Sequence, residues 1–130
     1  FVILNGVSAT DTNLTTVKSA LESISGTNSV VIKNQDGNVI TGGLIGTGDK
    51  IVISNSNSTE ELNVIIKGDT SGDGVINALD LLQIQKYILG TYNLSGVYSL
   101  AGDTSSDGTI NALDLLQVQK SILGTYTINQ

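Results

Sequence analysis

Asp69, Ser71, Asp73, Asn77 and Asp80 place oxygen-bearing side chains at short, regular intervals, and Asp103, Ser105, Asp107, Asn111 and Asp114 repeat the set 34 positions on. Such donors suit calcium, which takes six to eight hard oxygens and can be wrapped by a single twelve-residue loop. With Asp69 as position 1, Ser71 is 3, Asp73 is 5, the Val75 carbonyl is 7, Asn77 is 9 and Asp80 is 12. The second loop aligns Asp103, Ser105, Asp107, the Thr109 carbonyl, Asn111 and Asp114 in the same order. Gly74 and Gly108 fall at position 6, where the chain must turn sharply around a metal. Magnesium is disfavoured because it rarely has a dedicated all-protein cage. Two calcium ions are expected, one in each loop.

The pattern departs from a standard EF-hand loop at two positions. Position 12 is Asp, so its carboxylate must approach from a closer backbone than a Glu would. Position 3 is Ser, a neutral donor, which leaves three carboxylates in each loop. A single D-x-S-x-D-G run is also what a polar turn before a helix looks like, with Asp80 as its cap. Two copies agreeing at every donor position decide for the metal.

Each loop must be positioned by the segment on its C-terminal side. Residues 68–92 and 102–126 are near-copies, differing only at Gly72/Ser106, Val75/Thr109, Ile84/Val118 and Tyr87/Ser121. After each loop the spacing predicts a helix. Leu81, Ile84 and Ile88 form one stripe, expected to pack on Leu115, Val118 and Ile122. Ala78, Leu82, Gln85 and Leu89 form a second face, with Leu116 among its counterparts. So small a unit cannot bury both faces, and the second is expected to meet an external partner in preference to the N-terminal half. Ile76 and Ile110 at position 8 suit a short β-bridge between the loops. The nine residues 93–101 read as a connection turning at Ser95-Gly96.

Before the repeats lies a different pattern. Residues 1–4 are apolar, and Asp11 or Thr12 caps a predicted helix carrying Leu14, Val17, Leu21 and Ile24, closed by Gly26. Predicted strands 29–33 and 38–41 flank Asp36-Gly37, a hairpin signal because Gly tolerates positive φ. Residues 50–54 and 63–67 read as further strands, with 41–49 and 55–58 as connections. The fold class is α+β. Residues 1–67 form a small β-rich module, ordered β-α-β-β-β-β, with a β-grasp-like sheet as first choice and an Ig-like sandwich as second. Residues 68–130 form a helical module, joined to the first with no flexible tether.

Net charge is −6, split as −2 over residues 1–67 and −4 over the rest, whose six acids all lie in the two loops. Two calcium ions would neutralise that half. This balance argues against nucleic-acid and anionic-membrane partners, and no apolar run is long enough to span a membrane. With no histidine or cysteine, and the paired carboxylates committed to the loops, catalysis is not expected. Aromatic platforms for sugars are missing from residues 2–67. A start at Phe1 without methionine or signal peptide suggests a piece of a longer protein.

Gly-Asp at the start of each loop, Ile-Asn at positions 8–9, Asp-Leu at 12–13 and a helix ending in Ile-Leu-Gly resemble the type I dockerin repeat of cellulosome-like assemblies. The resemblance covers residues 68–126, and implies an all-α dockerin built of two calcium loop–helix (F-hand) repeats. By position, residues 1–67 resemble the small X-type modules that precede dockerins. The resemblance implies a non-catalytic, calcium-dependent module that docks its parent onto a cohesin of a scaffold or cell-surface protein involved in polysaccharide degradation. It places the molecule outside a bacterial cell, secreted or surface-attached, and as a monomer when unbound. The family's recognition positions map to Ala78, Leu79, Gln85, Lys86 and Leu89, and to Ala112, Leu113, Gln119, Lys120 and Leu123. Ala-Leu at positions 10–11 replaces the more usual Ser-Thr-like pair and implies a more apolar contact. Identical candidate contacts on both helices lead to an expectation of two bound orientations. The alternatives are a calcium-stabilised structural spacer with no cohesin partner, and a groove-opening calcium sensor, disfavoured by the absence of methionine.

Overall fold

The computed structural model describes residues 2–3, 29–54 and 59–129. The helix expected near residues 12–26 and the connection 55–58 lie outside the described residues. β1 (Val2–Ile3), β2 (Ser29–Lys33), β3 (Val39–Ile40), β4 (Lys50–Ser54) and β5 (Thr59–Ile65) form one sheet ordered β1-β5-β4-β2-β3. Four strands are antiparallel, and β1 lies parallel along β5. Among the described residues there is no second sheet to make an Ig-like sandwich.

β2 is rich in β-branched residues, which suit a pleated, half-buried surface. Its alternation puts Val30 and Ile32 on one face, opposite Ile53 and Ile51 of β4. These residues join Ile45, Val64 and Ile66 in a core of aliphatic side chains. The hairpin between β2 and β3 turns at Asp36-Gly37: Asn34 Oδ1 accepts from the amides of Asp36 and Asn38, each at 3.0 Å, and Gly37 has φ +86°.

The last strand differs from the expected 63–67. Residues Thr59 to Asn63 pair one by one with Ser54 to Lys50, so the strand starts earlier despite Glu60 and Glu61, which remain solvent-exposed. It also ends earlier. The Thr47 hydroxyl takes the amide of Ile66 at 3.0 Å and donates to its carbonyl at 3.1 Å, which fixes the chain as it leaves the sheet for the first loop.

The second half contains helices α1 (Ala78–Ile88), α2 (Val97–Gly102) and α3 (Ala112–Ile122). α1 and α3 pack together through Ile84 and Val118, both fully buried, with Leu81, Leu115, Ile76 and Ile110 around them. Leu94 and Ile128 complete this core. Each of the long helices starts on a capping box. Asn77 Oδ1 accepts from the Leu79 amide while Asp80 Oδ2 accepts from the Asn77 amide, and Asn111 and Asp114 do the same.

Three expectations are corrected. The connection 93–101 holds all but the last residue of α2, which leads into the second loop. Ile88 and Ile122 are 41% and 39% exposed rather than packed together, because they lie a turn beyond the Ile84–Val118 contact. Ile76 and Ile110 form no β-bridge. They lean instead on the helical core, with Ile76 over Gly68 and Ile110 over Gly102.

Candidate metal centres and the helix faces beside them

In each loop the three aspartates converge. Asp69, Asp73 and Asp80 each bring an oxygen within 4.8 Å of the other two, and Asp103, Asp107 and Asp114 do likewise. Three like charges at that separation repel strongly unless a cation lies among them. The donor set is entirely hard oxygen, as calcium requires. Ser71 and Ser105 stand at the same centres, each with its hydroxyl 3.3 Å from the position-1 carboxylate. Asn77 Nδ2 and Asn111 Nδ2 reach Asp73 and Asp107 at 3.4 Å.

Backbone amides aim the carboxylates inward. Asp69 Oδ1 accepts from Gly72 and Asp73, and Oδ2 from Gly74. Asp80 Oδ1 accepts from Ser71, leaving Oδ2 for the helix cap. The second loop repeats this through Asp107 and Gly108 on Asp103, and Ser105 on Asp114. Position 12 thus closes the loop and starts the helix with one carboxylate. The Val75 and Thr109 residues, whose carbonyls stand at position 7, are exposed at the loop rims, and their amides bond Asp73 and Asp107 at 3.0 and 2.9 Å.

Burial dominates the electrostatics of the first loop. It pushes Asp69 up to about 6, against the pull of the Thr47 amide, with Asp80 raising it further. Asp80 is likewise raised by burial. In the second loop Asp107, which is solvent-exposed, is lowered by the Thr109 amide.

Sequence reasoning missed two pairs that brace the loops. The buried Thr70 hydroxyl donates to Gln83 Oε1 at 2.8 Å, and Thr104 donates to Gln117 at 2.7 Å. Their identity in both repeats was the available signal. It also missed Gln35 and Thr47, which reach the first loop from the sheet.

The remaining candidates lie outside the loops, on α1 and α3. Leu79, Leu82 and Leu89 are 49%, 44% and 70% exposed, and Leu113, Leu116 and Leu123 are 47%, 44% and 69% exposed. Ala78, Gln85 and Lys86, with Ala112, Gln119 and Lys120, are exposed beside them. The described part of the sheet module packs on the first loop and leaves these faces open.

Two loop–helix units with carboxylate-lined loops, packed helix to helix, define a module of paired loops whose donors suit calcium. Residues 67–123 match the family model for the Dockerin type I domain. The match covers somewhat under half of the chain and gives no support to an X-type module before it. No curated protein and no solved structure matches the chain. A Dockerin type I domain is in general a non-catalytic, calcium-dependent module that binds cohesins, and such domains occur in extracellular cellulosome components. Among the described residues no helix is long and apolar enough to cross a membrane.

Proposed function

We propose that this chain docks its parent protein onto a cohesin through α1 and α3, with one calcium ion in each loop holding the two helices in place. The ions would be held by Asp69, Ser71, Asp73, the Val75 carbonyl, Asn77 and Asp80, and by Asp103, Ser105, Asp107, the Thr109 carbonyl, Asn111 and Asp114. Calcium supplies the positive charge that lets three carboxylates share one centre. The chain's own amides and capping boxes orient those carboxylates.

The observation that carries the docking reading is the matched exposure of the two leucine faces, residue for residue, in repeats whose outward positions are identical. Apolar patches of this kind on a small module mark interfaces. Equivalent faces related by a pseudo-two-fold axis present one surface twice, so a cohesin is bound in either of two orientations. Residues 1–67 serve as a supporting module with no catalytic role.

The test is calorimetric titration against a panel of cohesins, with calcium and then with excess chelator. Tight binding that chelation abolishes is expected. Calcium-dependent folding with no cohesin bound by any panel member would replace docking with a structural, calcium-stabilised spacer.

A further inference from the structure

The two loops carry the same donors in the same order, yet their surroundings differ. Residues 44–49 of the sheet module lie across the first loop. The Thr47 amide donates to Asp69 Oδ2 at 3.0 Å, and Gln35 Nε2 donates to the carbonyls of both Thr47 and Gly72 at 3.0 Å. The fit leaves no room for a side chain. A Cβ on Gly46 would collide with the Gly72 carbonyl. One on Gly72 would stand 2.5 Å from the Thr47 carbonyl oxygen, and one on Gly74 would stand 2.7 Å from that of Ile45. At Gly108, the counterpart of Gly74, nothing lies within 4 Å of such an atom.

Position 4 makes the same point from the sequence. The first loop has Gly72 at φ +79°, and the second has Ser106 at φ +61°. The loop backbone therefore accepts a side chain there, and it is the sheet module that demands glycine at position 72. Asp69 is fully buried, whereas Asp103 is only half-buried. Toward the second loop the module extends the flexible Lys67 side chain, whose ammonium donates to the Ser106 hydroxyl at 2.6 Å.

We propose that Gln35 and residues 44–49 clamp the first loop, so that calcium fills the Asp69 loop before the Asp103 loop. The inference rests on the calcium reading above. Affinity in such loops is set by the number of charged ligands and by rigidity. The charges are equal here, which leaves rigidity to decide. Ordering equivalent to one net hydrogen bond already corresponds to roughly a tenfold difference in affinity. By linkage, calcium in the first loop strengthens the grip of the sheet module by the same factor.

The full chain, stripped with chelator, is titrated with calcium while the amide resonances of Gly74 and Gly108 report one loop each. The Gly74 midpoint is expected at a calcium concentration at least about tenfold below that of Gly108. Gly46→Ala lies outside both loops, and Gly72→Ser gives the first loop the residue the second already has. Each should close most of the gap by weakening the first loop, while Ser106→Gly leaves it in place. Should either variant fail to fold, Gln35→Ala removes the exposed bridging side chain alone and should narrow the gap. Coincident midpoints in the unmodified chain, or a gap that survives these changes, overturn the clamp and leave the calcium reading standing. Silence of both amides up to millimolar calcium overturns that reading and the clamp with it.

Discussion

Changing Leu79, Leu82 and Leu89 to Ala removes one candidate docking face, and changing Leu113, Leu116 and Leu123 removes the other. From their exposures, each trio offers about one and a half leucine side chains of surface still open to solvent. Burying a whole leucine contributes about 1.5–3 kcal/mol, so truncating one trio should weaken the orientation that uses it by about 2–4 kcal/mol. That corresponds to a factor of roughly 30 to 1,000 in affinity. If the two orientations are equally strong, however, losing one merely halves the association constant, a cost of about 0.4 kcal/mol. The expected results are therefore about twofold for either triple variant and roughly 30-fold or more for the sextuple variant, by calorimetry against a cohesin in saturating calcium. All six side chains are exposed, so calcium binding and thermal stability should be unchanged. A tenfold or greater loss from either triple variant alone would refute the two-orientation reasoning.

The same geometry sets other outcomes. Asp114→Ala should reduce the calorimetric calcium stoichiometry from two to one with the first loop still responsive, and Asp80→Ala should do the reverse. Ile84→Ala, at the fully buried contact with Val118, should cost about 2–5 kcal/mol in denaturant unfolding of the calcium-loaded chain. In the chelated chain, where its place as a metal ligand does not count, Asn111→Ala should cost about 1 kcal/mol in denaturant unfolding through loss of the α3 cap. Burial raises Asp69 from 3.8 to about 6 and also raises Asp80. The sign for a raised carboxylate is fixed: its stabilisation is complete below 3.8 and lost as pH climbs through about 6. The chelated protein should thus lose stability as pH rises across that window. Calcium must displace those protons, so the gap in melting temperature between loaded and chelated protein should widen over the same interval. A gap that is flat with pH in scanning calorimetry would contradict the assignment of these aspartates.

The loops and the long helices were legible because their signals are local. Oxygen donors recur at fixed offsets, and Asn and Asp cap the helix that begins where the loop ends. The β2–β3 hairpin was legible for the same reason, since Asp36-Gly37 carries its turn in two residues. α2 was not, because its six residues are too few for periodicity and Gly96 at its N-cap provides no side-chain bond. β5 was displaced because pairing with β4 outweighs the poor strand propensity of Glu60 and Glu61. Least legible was the segment 44–49, which read as a glycine-rich connection. The need for glycine at position 46 exists only once the Gly72 carbonyl is beside it, and no local pattern encodes that approach.

The few differences between the two repeats gain meaning from where they fall. Gly72/Ser106 lies under the sheet module, Ile84/Val118 at the helix contact, and Tyr87/Ser121 partly buried beside it, while Val75/Thr109 sits on a loop rim and lends only its carbonyl. None lies on the outward faces of α1 and α3. After a duplication, a copy that meets nothing is free to drift, and its outer surface drifts first. Here drift falls at loop and core positions and spares the outward faces of α1 and α3, as expected if both faces have stayed in use since the copies arose.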